Sequence, residues 1–285
     1  MALTLMYITN NEKVADIAQR AGVDRIWVDM EYIGKSLRQG GMDTVQSHHT
    51  TADARNIRKA ISKAELLVRC NPIHESTEEY TSSREEIEDI VGSGADVIML
   101  PYFKTAKEVE TFVRLVDGRA KTLPLVETRE AAEHIGEILQ VDGIDEIYIG
   151  LNDLSLAHGY RFMFQLLADG TVDRLTEAFR AKGLPFGFGG IAALNGGLLP
   201  GSYVLKEHYR LGSSRVILSR SFCDVSKAES LEQVQQVFDS GVKELRELEA
   251  QLEVLLELLE KLLEIVELEG QERLYLKKVD LLVVK

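Results

Sequence analysis

Four acids and an arginine stand where apolar runs of this chain stop: Asp29 and Glu31 after RIWV, Arg69 after ELLV, Glu127 after TLPLV and Asp153 after EIYIGLN. Pro101, Gly189, Gly190, Ser219 and Arg220 close the other runs. A hard divalent cation takes oxygen ligands, typically one or two carboxylates with substrate and water filling the rest. Glu127 and Asp153, at the ends of neighbouring runs, supply such a pair for Mg²⁺ or Mn²⁺, and the same donors accommodate Co²⁺. Neither acid sits in a Cys/His context, which disfavours zinc. A cation so held chelates a 2-oxo acid through its carboxylate and keto oxygens and stabilises the enolate formed when the adjacent carbon–carbon bond breaks. The fixed donor fork of Arg69 suits that enolate or the substrate carboxylate. A structural ion pair of Arg69 with Asp29 or Glu31 is the alternative, and both roles are compatible. Any single polar strand end could equally cap a helix, so the chemistry rests on several meeting at one mouth.

What must bring them together is a repeated strand and helix. Eight short apolar runs, at 3–8, 25–30, 65–70, 96–101, 122–127, 146–151, 185–190 and 215–220, alternate with amphipathic segments such as NEKVADIAQRAG, TADARNIRKAIS, SREEIEDIVGSG, AKEVETFVRLV and REAAEHIGEIL. This pattern generates a parallel sheet. Eight such units close into an α/β fold, the (β/α)₈ TIM barrel of about 250 residues, whose reactive groups project from the C-terminal strand ends. The expected organisation is a barrel over 1–228 and a C-terminal helical extension over 229–285.

The formal charge of −13 and pI near 5, with no basic run, exclude a nucleic-acid surface, which needs clustered Lys and Arg. No apolar run approaches the ~18 residues of a membrane span, and MALTLMYITN lacks a charged n-region and an apolar core with a cleavage site. Cys70 and Cys223 lie in apolar runs without metal-binding spacing and read as buried thiols in a reducing compartment. The expectation is a cytoplasmic soluble protein that binds neither membrane nor nucleic acid.

VETREA followed by VDGIDEIYIGLNDLS is similar to the paired motif of the HpcH/HpaI aldolase and citrate lyase β-subunit family, and GADVIMLP and LVRCNP resemble two further strands of that family. The resemblance covers residues 10 to 225. It implies a barrel of the phosphoenolpyruvate/pyruvate superfamily, metal ligands at Glu127 and Asp153, and a substrate-binding arginine at Arg69. This chain also departs from the family pattern. Members carry D-x-E-H after the second strand, with the His as general base, where this chain reads Asp29-Met30-Glu31-Tyr32. The loop that follows ends in His48 and His49, which either replace that base or cap the next helix. Asp29 and Glu31 then orient water or the base, and Tyr32 donates a hydrogen bond to substrate. The short turn Asp117-Gly118-Arg119 stands where pyruvate aldolases of the family have a longer connection, and GFGGIAALNGGLLPG is atypical, so the resemblance implies a subgroup with its own substrate. Pro101, Gly189, Gly190 and Ser219 are the further candidates for contact with substrate. Gly189, Gly190, Ser219 and Arg220 lie where barrels hold phosphate, unless the glycines serve only close packing. GFGG does not match a dinucleotide fingerprint.

The chain then runs on as VKELRELEAQLEVLLELLEKLLEIVELEG, in which residues 244–272 hold ten Glu against Arg246 and Lys261. Leu245, Leu248, Leu252, Leu255, Leu259, Leu262 and Val266 form a heptad seam. This helix is expected to build a homo-oligomer, and LYLKKVDLLVVK reads as a strand that pairs with a neighbouring chain. Taken together, the sequence describes a class II, metal-dependent lyase that cleaves or forms a 4-hydroxy-2-oxo acid from pyruvate and an aldehyde. A citrate-lyase-like acyl-CoA lyase and an oligomeric scaffold with weakened catalysis are the alternatives.

Overall fold

Eight strands close on one another in the computed structural model, which describes residues 2–35 and 47–268. They are β1 (Thr4–Ile8), β2 (Arg25–Asp29), β3 (Glu65–Arg69), β4 (Val97–Leu100), β5 (Lys121–Val126), β6 (Ile147–Ile149), β7 (Phe186–Ile191) and β8 (Arg215–Leu218). All neighbours are parallel, and β8 pairs with β1 to complete the barrel. The expected strands lie within two residues of these limits. The helices between them are α1 (Glu12–Ala21), α2 (Thr51–Ala60), α3 (Ser83–Gly92), α4 (Ala106–Val116), α5 (Arg129–Glu133), α6 (Ile135–Ile138), α7 (Leu151–Ala157), α8 (Gln165–Ala168), α9 (Thr171–Lys182), α10 (Gly201–Leu211) and α11 (Leu231–Leu268). The single helix expected over REAAEHIGEIL divides at His134 into α5 and α6.

Side chains alternate along a strand, so every second residue enters the lumen and the strand end fixes the height at which it sits. The floor is ionic. Arg25 donates to Glu65 at 2.7 Å and through both terminal nitrogens to Glu146 at 2.6 and 2.7 Å, and Arg215 donates to Glu146 at 2.8 Å. Two residues further along, Trp27, Leu67, Leu123, Leu125, Tyr148 and their neighbours Met6, Val97 and Met99 fill the middle. Another two residues bring Asp29, Arg69 and Glu127 to the top. The acid that ends the TLPLV run is therefore the lumen-facing successor of Leu123 and Leu125. Tyr148 is accommodated because position 187 is glycine: an added Cβ there would lie 2.4 Å from its ring and 2.3 Å from the Arg215 carbonyl oxygen.

The long helix α11 packs along α1 and straps the barrel floor. Glu249, buried within it, accepts the Leu3 backbone N–H at 2.7 Å, and Arg246 donates to the Leu3 carbonyl at 2.8 Å and pairs with Glu249 at 2.7 Å. Of the heptad seam, Leu245, Leu252 and Leu259 are buried within this chain itself. The Leu262 and Val266 side chains and the segment LYLKKVDLLVVK lie outside the described residues. Among the described residues no helix is long and apolar enough to cross a membrane.

The floor network sets a pH dependence. Burial alone would raise the Glu146 carboxyl, but hydrogen bonds from Arg25 and Arg215 bring it from 4.5 down to about 2. A carboxyl held below its unfolded value contributes stability that is complete above pH 4.5 and is lost as the pH falls toward 2. Urea midpoints should therefore decline over that interval. In Glu146→Gln the decline should be shallower, while stability at pH 7 should be lower by about 3–5 kcal/mol, because Arg25 and Arg215 lose their anion.

Candidate active site

The register of β2 and β3 sets Asp29 directly beside Arg69. The guanidinium grips Asp29 with two bonds, Nε to Oδ1 at 2.8 Å and Nη2 to Oδ2 at 2.7 Å, and its Nη1 lies 3.2 Å from Glu31. Its central carbon stands 4.9 Å from the Trp27 ring centroid, a cation–π distance. A second cation completes the group: the Lys35 ammonium is 2.9 Å from Asp29 and 3.4 Å from Glu31. All four side chains are buried, and their formal charges cancel. Taking one ion out of water costs several kcal/mol, so the arrangement holds only because each charge meets an opposite one. Burial would raise the Asp29 carboxyl, yet Arg69 and Lys35 hold it well below the usual carboxylate range. Burial likewise works to lower Arg69, but Asp29 and Glu31 keep it firmly charged.

Asn71 fixes the turn after β2. Its side-chain carbonyl accepts the backbone N–H of Tyr32 and of Ile33, each at 2.9 Å, while its amide donates to the buried Glu86 at 2.8 Å. Tyr32 is half exposed and meets the Tyr80 ring edge-on. Residues 36–46 lie outside the described residues, but both histidines are placed. His49 accepts the Asp29 backbone N–H through Nδ1 at 3.1 Å. That bond fixes the tautomer with hydrogen on Nε2. Burial lowers the His49 pKa, and the nearby Asp29 and Asp53 only partly oppose this. His48, on the same segment, is exposed, and Thr50 caps α2 in its place.

Glu127 follows β5, is buried, and accepts the Tyr102 backbone N–H at 3.0 Å. Tyr102 adopts φ +49°, a left-handed conformation uncommon for a non-glycine residue. Gly150 leaves room for this carboxylate, since an added Cβ would lie 2.8 Å from Glu127 Oε2. Asp153 stands three residues beyond that glycine, in the first turn of α7, half-buried, with its Oδ1 accepting from Asn152 at 3.1 Å. Glu127 and Asp153 each supply a hard oxygen donor of the kind that Mg²⁺ or Mn²⁺ takes, ions that keep several waters and are commonly held by one or two carboxylates. No group of three or more His, Cys, Asp or Glu among the described residues forms a fuller cage.

The remaining candidates divide. Pro101 is buried at the end of β4, and Ser219, just after β8, lines a cavity together with Gly190. Gly189 has φ +53°, and an added Cβ would lie 2.7 Å from Leu151, so backbone and packing already account for glycine there.

The family profile described as HpcH/HpaI aldolase/citrate lyase matches residues 3–165, more than half the chain. The chain belongs to this family. Two curated relatives share the name hydroxypyruvate/pyruvate aldolase. One, from Rhizorhabdus wittichii, is 55% identical over 38 residues, 13% of this chain and 15% of the relative. The other, from Roseovarius nubinhibens, is 26% identical over 157 residues, 51% of this chain and 60% of the relative. The matches thus span less than two thirds of either relative. Among solved structures, a family member from Burkholderia cenocepacia is similar with a TM-score of 0.61 at 15% identity, covering 82% of this chain and 95% of that one. A family aldolase from Desulfitobacterium hafniense has a TM-score of 0.57 at 17% identity, with 86% and 93% coverage. At such identity these likenesses speak for the fold.

Two members of the site escaped the reading of strand ends. Trp27 was visible in the alternation Arg25, Trp27, Asp29. Lys35 lies beyond the strand end, and its only signal was its place four residues after Glu31. Replacing Lys35 by Met should leave two buried acids facing one arginine, and urea unfolding should show a loss of about 3–5 kcal/mol.

Proposed function

We propose that this protein is a divalent-metal-dependent carbon–carbon lyase that cleaves a 4-hydroxy-2-oxo acid to pyruvate and an aldehyde, or runs that reaction in reverse. The observation that carries the proposal is the pair of carboxylates, Glu127 just after β5 and Asp153 in the first turn of α7, on the same barrel mouth as a buried, charge-locked Arg69. Family membership and the names of the two aldolase relatives support it. Bound by Glu127 and Asp153, a divalent cation would supply Lewis-acid polarisation of the 2-oxo acid.

The chain's own residues do the rest. An arginine has five N–H donors, and the contacts with Asp29 and Glu31 use three. The other two are for the substrate carboxylate or the enolate oxygen. Because Asp29, Glu31 and Trp27 fix the guanidinium before substrate arrives, little reorganisation accompanies the reaction. Proton transfer from the 4-hydroxyl falls to His48. The Nδ1 lone pair of His49 is occupied by the Asp29 amide, and its Nε2 carries hydrogen. As that proton leaves, the C3–C4 bond breaks, the aldehyde carbonyl forms, and the electron pair passes into the enolate, which takes a proton at C3 to give pyruvate.

The test is pyruvate release from a panel of 4-hydroxy-2-oxo acids after chelator treatment. Mn²⁺ or Mg²⁺ should restore turnover, and the double variant Glu127→Ala, Asp153→Ala should lose it by roughly a thousandfold or more. Retained turnover in that variant would overturn the proposal. His48→Ala should lower kcat by about 10²–10⁴-fold, the usual contribution of a general base. A larger loss in His49→Ala would transfer the base to that residue.

A further inference from the structure

The barrel mouth is chemically divided. At the ends of β2 and β3 it is charged, with Asp29, Glu31, Lys35 and Arg69 neutralising one another. Over β6, β7 and β8 it opens into a cavity of about 300 Å³. The cavity reaches the strand ends at Gly190 and Ser219, and its apolar wall is Leu156, Phe162, Phe164, Leu198 and Leu199. Phe162 and Phe164 meet edge to face at 5.4 Å. Two of the polar groups that line it are turned to the chain's own structure: the Ser155 hydroxyl donates to the Asn152 carbonyl at 2.7 Å, and the Tyr160 hydroxyl donates to Asp169 at 2.8 Å. Among the described residues no carboxylate lines it, and its only cation, Arg161, is exposed.

Large apolar side chains are seldom left to water without a reason when they cluster. Seven are exposed among the described residues, and three of them, Leu156, Phe162 and Leu198, crowd this one cavity, Leu198 at 94% exposure. The cavity also begins on the helix that carries a proposed metal ligand. Asn152, Ser155 and Leu156 line it from α7, the helix that carries Asp153. A 2-oxo acid held by Arg69 and the carboxylate pair would have its C4 substituent left to place, and the α7 residues beside Asp153 open into this recess.

We propose that the cavity receives the aldehyde half of the substrate and that this half is apolar, an aryl or branched alkyl group rather than a polyhydroxylated or phosphorylated one. The proposal rests on the lyase reading given above. A volume of about 300 Å³ lies at the small end of ligand pockets, which suits a group of one ring.

Wild-type kcat/KM would be measured for 4-hydroxy-2-oxo-4-phenylbutanoate, for 4-hydroxy-2-oxobutanoate, and for a 2-oxo-3-deoxy sugar acid with and without a terminal phosphate. The phenyl compound should exceed each of the others by about tenfold or more, the scale on which apolar pockets discriminate. Leu198→Asp and Phe162→Ser, both at exposed positions, should each reduce the ratio of phenyl to unsubstituted substrate severalfold. A ratio near one in the wild type, a preference for the phosphorylated acid through Arg161, or a ratio unmoved in both variants would overturn the proposal. If the variants also change sedimentation while the ratio stays fixed, the rim is a subunit contact and not a substrate wall. Metal-dependent exchange of the pyruvate C3 hydrogens for deuterium, which involves no aldehyde, separates the two layers of argument. Exchange without phenyl preference removes this inference alone, whereas no exchange and no cleavage removes the lyase reading and the inference with it.

Discussion

Burying an arginine at the mouth of a barrel requires that anions be buried with it. Arg69 can remain charged at the end of β3 because Asp29, one strand away and in register, takes two of its donors and Glu31 lies against a third. Two acids would outnumber one arginine, and Lys35 restores balance. The path of the chain after β2 follows from this. The backbone must turn so that Glu31 comes back to Arg69 and Lys35 comes back to both acids, and Asn71 pins that turn through the Tyr32 and Ile33 amides. The position of His49 against the Asp29 amide follows in turn.

The lumen repeats the same logic at another height. An ionic floor of Arg25, Glu65, Glu146 and Arg215 and a polar top are separated by the apolar layer around Trp27 and Tyr148. Both polar layers are locked by paired charges, and the packed layer between them cannot yield without strain. The strand-end groups therefore stand on a stiff column, which is what a site relying on fixed electrostatics needs. The cost of one polar atom too few is high at either level, because the partner left behind remains buried.

The strands were legible because each is short, apolar and bounded by helical patterns, and the period of two then places Glu127 and Arg69 at the top of the lumen. The Arg69 ion pair was legible as one of two roles, and the structure shows that pairing. Lys35 was not legible, since nothing in the spacing of the residues after β2 states where the chain returns. Nor was the occupied lone pair of His49, which depends on a backbone amide twenty residues away. The glycines of β7 carry identical letters with different reasons: Gly187 makes space for Tyr148, while Gly189 takes a positive φ. The cavity over β6 to β8 joins Leu156 and Phe162 to Leu198 and Leu199, which lie in the segments after β6 and β7 and are brought together by the pairing of those strands. The heptad seam correctly announced a long helix, but it could not say that Leu245, Leu252 and Leu259 would be covered by this chain itself.

The strap of α11 across the floor has a consequence for the order of events during synthesis. Leu3 offers its backbone N–H to Glu249 and its carbonyl to Arg246, partners 246 and 243 residues later in the chain. The first strand also closes the barrel against β8, the last. While the chain is still growing, one edge of β1 therefore has no strand to pair with, and its entry has no cap, until nearly the whole barrel and part of the helix behind it have left the ribosome. Contacts of such sequence separation carry a large loop-closure cost and tend to form late. For most of its synthesis the nascent barrel is thus an open sheet with an unsatisfied edge, which β8 ends by pairing with β1 and the long helix then caps at Leu3.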